Sequence, residues 1–326
     1  MTTLTPKQIL ILDSLIKDTI REIDFSAYQN ARVLISGAGG HLGIWLTLLF
    51  AAENSISNNL SLTIETNHHS KVLNLSRELS MKSPEILNES NKERFDVIFD
   101  MSLPKVENND TDNYSPIFEF LGKFVSQKRR ILPGGVLVIP SSGAVYGSSS
   151  TRNYGFAEED SALATNRTVY GKAKILIEEL SAEIESFSVP IFRIFSVFGP
   201  LMRQDSPLIG NNFYIQCKEN HEIRLTGEGI AHRNMTFVPD IAKQIISLSK
   251  VPGVSEQPIN LGSNNNLTIR NFANLVAESM GAKVVLGEKE EVTDFYLPIL
   301  DRLSRHKLGA NFEIKNAVEL TSKFYL

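Results

Sequence analysis

Tyr170 and Lys174 stand four residues apart in Val169-Tyr170-Gly171-Lys172-Ala173-Lys174-Ile175. That spacing is one helical turn, so a phenol and an ammonium would project from one face and could share one substrate and one cofactor. A free phenol, with a pKa of about 10, is a poor base at neutral pH, and a positive neighbour lowers that value. Bringing it to neutrality takes ~4 kcal/mol of preferential stabilisation of the phenolate. A partly desolvated ammonium and an oxidised nicotinamide ring can together supply that. Upstream, Ile139-Pro140-Ser141-Ser142-Gly143-Ala144-Val145-Tyr146-Gly147 ends a strand-like run with two hydroxyls, where open α/β sheets bind ligands. Ser142 could hold a substrate oxygen beside Tyr170. A hydroxyl pair at a turn usually caps backbone, and a lone Tyr-x-x-x-Lys is usually surface decoration. Their combination is what describes a hydride-transfer site.

A glycine turn strengthens that reading. Gly37-Ala38-Gly39-Gly40-His41-Leu42-Gly43 lies between a buried strand over 31–36 and a helix over 42–53. Glycine lets the backbone turn tightly and lets a pyrophosphate approach the helix N-terminus, whose free amides favour anions. Glu65, at the end of the second strand, is the acid placed to accept from an adenosine ribose and to repel a 2′-phosphate. It favours NAD, while Asn67, His68, His69 and Lys71 leave NADP open. Glu65 reads equally well as a solvated strand end.

These residues need a scaffold that alternates strands with helices. Apolar runs over 60–65, 95–101, 135–140 and 189–195 read as strands, with helical stretches over 117–127 and 170–186 between them. The pattern implies an α/β fold, a Rossmann-type doubly wound parallel sheet, with a smaller α/β substrate-binding lobe at the C-terminal side. The expected division is an amphipathic helical extension over 1–30, a dinucleotide-binding domain over 31–200 with 232–262 returning to it, and a mainly substrate-binding lobe over 201–326. Residues 107–115 read as a polar surface loop. The first helix announces itself in Thr5-Pro6-Lys7-Gln8, a capping box with a first-turn proline, followed by apolar residues at helical spacing from Ile9 to Ile23.

Composition narrows the function classes. At 326 residues the chain can bury a large core, and its net charge of −4, without a basic stripe, gives no support to a nucleic-acid partner. The longest apolar stretch, 44–52, is too short to span a bilayer, and charges interrupt the first helix, so neither a membrane segment nor a signal peptide is expected. One cysteine, Cys217, excludes an internal disulfide framework and fits the cytoplasm. No metal site is assigned.

The ordered set of motifs resembles the extended short-chain dehydrogenase/reductases that act on nucleotide sugars, the epimerase/dehydratase group. The resemblance covers roughly 31–315. It rests on the Gly37/Gly40/Gly43 turn, the Ser141 to Gly147 segment, Tyr170 with Lys174, and Arg193-Ile194-Phe195-Ser196-Val197-Phe198-Gly199-Pro200. Gly227-Glu228-Gly229 leading to Arg233-Asn234-Met235-Thr236-Phe237-Val238-Pro239-Asp240, and Asn260-Leu261-Gly262, add to it. The resemblance implies that Tyr170 is the acid/base, that Lys174 lowers its pKa and holds the nicotinamide ribose, and that Ser142 hydrogen-bonds the reacting sugar oxygen. It implies a dinucleotide cradle of Gly37, Gly40, His41, Leu42, Gly43, Glu65 and Ser102, with Phe195 and Val197 supporting the nicotinamide. Arg233 resembles the arginine that grips the substrate diphosphate, and Asn212 and Gly143 would lie along the sugar nucleotide.

Two departures matter. Sugar-nucleotide dehydratases carry an Asp-Glu pair where this chain has Gly143 and Ala144, and the usual His-x-Ala-Ala after the fourth strand appears as Asp100-Met101-Ser102-Leu103. The expected activity is NAD(P)-dependent C4 epimerisation of a nucleoside-diphosphate sugar, with a 4-keto-sugar reductase as the alternative. A non-catalytic dinucleotide-binding protein is the rival from another class. A methyltransferase is suggested only by Ile131-Leu132-Pro133-Gly134-Gly135-Val136-Leu137. By the resemblance, two subunits would pair through the helices over 117–127 and 170–186.

Overall fold

Strands built from near-continuous apolar residues must be covered on both faces, and a parallel sheet between helices does this. The computed structural model, which describes residues 3–88, 93–102, 115–147, 154–164, 167–203, 208–289 and 293–326, has that form. Its large sheet takes β1 (Arg32–Ser36), β2 (Ser61–Glu65), β3 (Glu85–Ile86), β4 (Phe95–Asp100), β5 (Ile131–Ser142), β6 (Ile191–Ile194) and, from far along the chain, β10 (Ile259–Leu261). The spatial order is β10-β6-β5-β4-β1-β2-β3, and every neighbouring pair is parallel. The chain moves outward from β1 to β3, then lays β4 on the other side of β1. That reversal opens a crevice at the carboxyl ends of the strands.

Alternate residues of each strand face opposite layers. Val33, Ile35, Val97, Phe99 and Val138 join the core built around α2 (His41–Ser57). Leu34, Ile98, Leu137 and Ile139 pack instead with Phe124 of α4 (Ser115–Arg130) and with Ala173 and Ile177 of α5 (Val169–Ala182). α1 (Pro6–Ile20) carries the capping box read from the sequence: Thr5 Oγ1 accepts from the Gln8 N–H at 3.2 Å, and Gln8 Oε1 accepts from the Thr5 N–H at 3.0 Å. It buries Leu12, Leu15 and Ile16 against α2 and two later helices, α7 (Val238–Leu248) and α10 (Ile314–Tyr325). Among the described residues no helix is long and apolar enough to cross a membrane.

Beyond β6 the chain builds a second, smaller sheet. β7 (Ser196–Phe198), β11 (Asn266–Thr268) and β13 (Phe295–Tyr296) all pair with β9 (His232–Phe237), only β11 running antiparallel. β8 (Glu222–Arg224) and β12 (Lys283–Val285) form a separate parallel pair, packed by α6 (Ile209–Asn220) and α8 (Ile269–Met280). Residues 232–262 therefore divide three ways: β9 lies in the small sheet, α7 packs on α2, and β10 edges the large sheet.

Some boundaries differ from the sequence expectation. β5 begins at Ile131, where a strand from 135 is expected, and its register jumps from Phe95 opposite Ile131 to Val97 opposite Val136. Pro133 has no amide to give the ladder and Gly134 has φ +73°, so the glycine pair makes an irregular strand entry rather than a ligand-binding turn. α5 stops at Ala182, short of 186. Residues 107–114 of the expected surface loop lie outside the described residues.

Leu15 is 2% exposed at the centre of the α1 contact. Leu15→Ala is expected to destabilise the chain by about 2–5 kcal/mol, read as a lowered urea midpoint at unchanged slope. An unchanged midpoint would mean that α1 is an appendage rather than part of the core.

Candidate active site

The glycine turn occupies the reversal point of the sheet. Gly37, at φ +75°, lies so close to the end of β4 that a Cβ would meet Met101 C and O at 2.5 Å and Ser102 N at 2.6 Å. A side chain at Gly43 would run into Gly37 O, so α2 is pressed onto the turn that starts it. Gly40 is the N-cap of α2, and no side chain caps that end, which leaves first-turn amides available to an anion. Leu42 is half-buried in that first turn. His41 and Trp45 both donate to Pro200 O at 3.1 Å. Burial drives the His41 pKa down to about 3, so the imidazole is a neutral strut and only its backbone faces the turn. Lys71 Nζ lies 3.5 Å from Gly39 O, and burial and the charge of Arg203 lower its pKa.

Glu65 ends β2 beside this turn, but its carboxylate is engaged from within the chain. Ser36 Oγ donates to Oε2 at 2.6 Å, Gln127 Nε2 to the same oxygen at 3.0 Å, and Arg130 Nη1 to Oε1 at 2.8 Å. Burial would raise the carboxyl, yet these donors and the Arg130 charge hold it below its usual value. A carboxylate offers about four lone-pair sites, so among the described residues only Oε1 retains one for a further donor.

Ser142 ends β5 and caps the turn that follows, Oγ accepting from the Ala144 N–H at 3.2 Å. Thr168 caps α5, accepting from the Gly171 N–H at 3.1 Å, so Tyr170 and Lys174 fall on its first two turns. A side chain at Gly171 would collide with Ala144 O; this glycine lets α5 press against the Ser142 turn and carries Tyr170 with it. Burial raises the Tyr170 phenol, Tyr296 adds to the rise, and a hydrogen bond to Ser142 opposes it.

Lys174 is 1% exposed, with Nζ 5.5 Å from the centroid of the Tyr170 ring and donating to Pro140 O. In the chain alone burial holds the phenol above its usual value, so the expected lowering calls for the oxidised nicotinamide as well as the ammonium. Burial pulls Lys174 down to about 7 against the charges of Asp100 and Glu178. Asp100 is a departure from the family motif that turns out to matter: it lines one small cavity with Ser102, Pro140 and Lys174. Ser102 thereby links the glycine turn to the lysine. Leu103 lies outside the described residues.

A buried polar network fixes these parts to one another. Arg193 and Glu178 are 3% and 6% exposed and meet at 2.6 Å. Ser141 Oγ donates to Glu178, while Arg193 also donates to Tyr146 Oη at 2.9 Å, Glu158 O at 2.7 Å and Ser161 Oγ at 3.0 Å. Tyr146 passes the chain on to Asn260 of β10 at 2.6 Å. Phe195, between β6 and β7, packs with Tyr146 and Tyr296 rather than standing alone at a strand end, and Val197 pairs with Thr236.

The small sheet brings Arg233 to the opposite side. Its Nη1 donates to His232 O at 2.8 Å and its Nη2 meets Asp294 Oδ2 at 2.9 Å. A guanidinium has five N–H groups, so among the described residues Nε and part of Nη2 are left for a further acceptor. Asn212 is exposed on α6 with its Oδ1 accepting from Gln216 at 3.2 Å, apart from the Ser142 cluster. Sequence reasoning missed Tyr296, whose hydroxyl is 3.3 Å from Ser142 Oγ. Its signal was the aromatic pair Phe295-Tyr296 after a polar run, a short strand by type.

Residues 33–262, which carry most of this site, match the model of the NAD dependent epimerase/dehydratase family. The chain belongs to that family. Among its relatives is a Bacillus subtilis protein described as an uncharacterized UDP-glucose epimerase, YtcB, 23% identical over 80% of this chain and 86% of its own length. The fold is shared with an epimerase of Methanothermobacter thermautotrophicus, at TM-score 0.73, 21% identity and coverage of 96% of this chain and 95% of the other. It is shared too with a UDP-glucuronic acid 4-epimerase variant of Bacillus cereus, solved with UDP-4-deoxy-4-fluoro-glucuronic acid and NAD, at TM-score 0.71, 16% identity and coverage of 90% and 98%. In this family member the buried ion pair joins α5 to the sheet alongside the apolar contacts of Ala173 and Ile177. Glu178→Ala, which strands the Arg193 charge, is expected to cost about 3–5 kcal/mol of stability, measured by chemical denaturation. A loss below about 1 kcal/mol would assign the anchoring to apolar packing alone.

Proposed function

We propose that the protein is an NAD-using 4-epimerase of a nucleoside-diphosphate sugar, with Ser142, Tyr170 and Lys174 as its catalytic residues. The observation that carries this is their meeting at the carboxyl end of β5, where Ser102 touches both the lysine cavity and the glycine turn. The residues present suit a dinucleotide: Gly37 and Gly40, whose own amides donate to Glu65 O and Gly37 O, shape the turn, His41, Leu42 and Gly43 offer the first-turn amides of α2 to a pyrophosphate, and Glu65 keeps a lone pair for a ribose hydroxyl. When bound, NAD supplies the acceptor and later the donor of a hydride. Tyr170 takes the proton from the sugar C4 hydroxyl and returns it, while Ser142 donates a hydrogen bond to the oxygen as negative charge develops there. Lys174 would supply positive charge one turn from the phenol, and Phe195 and Val197 would support the nicotinamide. Arg233 holds the diphosphate, with Asn212 and Gly143 along the sugar nucleotide, while the keto sugar presents its second face.

Water elimination is disfavoured, since it needs an acid and a base on adjacent carbons. Gly143 and Ala144 provide neither, and Tyr296 and Phe195 fill the space over Gly143. A ketoreductase would use the same residues once and consume reduced cofactor in proportion to product. The buried free Cys217 supports a cytoplasmic setting.

Incubation of the protein with NAD and UDP-glucose, UDP-galactose or UDP-glucuronate should yield the C4 epimer without net change in cofactor. Tyr170→Phe should lose about 10²–10⁴-fold in turnover yet retain nicotinamide. Full activity in that variant, or no turnover of any nucleoside-diphosphate sugar by the wild type, sinks the reading.

Phe118 and Val125 of α4 and Leu180 of α5 are 72%, 46% and 39% exposed, and we assign this face to a homodimer contact. Light scattering should give a dimer for the wild type and a monomer for Phe118→Glu; a monomeric wild type refutes the assignment.

A further inference from the structure

Tyr296 belongs to none of the family motifs in this chain, yet it stands at the centre of the site. β13 pairs with the start of β9 so that Tyr296 lies opposite Arg233, whose guanidinium carbon is 5.8 Å from the phenol ring centroid. Phe195 packs on the same ring at 4.8 Å between centroids. Gly143 makes the approach possible, because a Cβ there would come within 2.7 Å of both Tyr296 Oη and Phe195. The phenol hydroxyl thus reaches Ser142 Oγ, at 3.3 Å, from the small sheet, while Tyr170 reaches it from α5.

The relative acidity of the two hydroxyls gives this contact a direction. A serine hydroxyl has one donor proton and two acceptor lone pairs. One lone pair takes the Ala144 N–H at 3.2 Å. Tyr296 Oη lies 3.3 Å from Ser142 Oγ, a distance at which either hydroxyl can donate. A phenol is the more acidic of the two hydroxyls and hence the better donor. With the phenol as donor, both lone pairs of Ser142 are filled and its own proton can turn toward Tyr170, which also interacts with this hydroxyl.

We propose that Tyr296 is a positioning residue that fixes Ser142 as a hydrogen-bond donor to the reacting oxygen and couples that role to the arginine expected to hold the diphosphate. The proposal rests on the epimerase reading and deepens it. The titratable and charged groups around the three hydroxyls are Lys174 of α5, with Asp100 and Glu178 beyond it, Arg233 of β9, and Asp294 just before β13. Losing the fixed donor would leave the Tyr170 phenolate less stabilised and raise the pH at which it forms.

Tyr296→Phe keeps the ring on Arg233 and Phe195 and removes only the hydroxyl. In the full-length enzyme with NAD and the epimerised sugar nucleotide, kcat should fall about tenfold, less than the ~100-fold of deleting a direct oxyanion donor. KM should stay within about twofold, as expected when ground-state binding is untouched. The arm of the kcat–pH profile on which activity rises should move to higher pH by about half a unit. Because the effect passes through Ser142, adding Tyr296→Phe to Ser142→Ala should cost less than about twofold further. Wild-type kcat and an unmoved profile in Tyr296→Phe, or losses that multiply in the double variant, overturn the proposal while leaving the epimerase reading in place. A wild type that turns over no nucleoside-diphosphate sugar takes both down.

Discussion

The site depends on a charge pair that is costly to bury. Removing a guanidinium and a carboxylate from water costs several kcal/mol per ion, and their mutual attraction offsets it only when the remaining donors and lone pairs are also satisfied. Arg193 and Glu178 meet that condition: the guanidinium is shared among Glu178, Tyr146, Glu158 and Ser161, and the carboxylate also accepts from Ser141. Several of these partners lie on elements that carry the proposed site residues. Glu178 sits one turn beyond Lys174 on α5, Ser141 precedes Ser142 on β5, Arg193 is on β6, and Tyr146 reaches β10. The pair therefore acts as the pin through four elements, and the relative placement of Ser142 and Tyr170 follows from it. Chemistry that depends on near-attack geometry loses rate steeply with small displacements, so such a pin is worth its desolvation.

Close backbone contact is the second constraint, and glycine meets it at each critical point. Gly37 lets the turn lie on the end of β4, Gly43 lets α2 close on the turn, and Gly171 lets α5 close on the Ser142 turn. These contacts draw two halves of the crevice together around Ser102 and Pro140, at the reversal of the sheet. The small cavity left there is lined by Asp100, Ser102 and the desolvated Lys174 among apolar residues.

Much of this was legible in the residues. Apolar runs and helical spacing marked the alternating elements, and the glycine turn, Ser142, Tyr170 and Lys174 were identifiable by type and interval, because each is a local pattern. What escaped was non-local. Nothing near Glu65 in the sequence announces Gln127 and Arg130, which donate to its carboxylate from α4. Asp100 looked like a defect in a cofactor motif until parallel pairing set it one strand away from Pro140 and within the field of Lys174. The Tyr170/Lys174 interval cannot show how deeply both groups are buried, and that burial holds the phenol above its usual value in the chain alone. Tyr296 was overlooked for a related reason: a two-residue strand has too little periodicity to register, and its partner is in another part of the chain.

Ser142 and Tyr296 are 154 positions apart, and Tyr146 and Asn260 are 114 apart. Contacts of such long range form only after the intervening chain has been laid down and loop closure has been met. A polypeptide still being synthesised can fold its glycine turn and α5 early, yet it holds an unfinished centre until β10 and β13 leave the ribosome. The order of synthesis thus delays chemical competence until the fold is nearly complete.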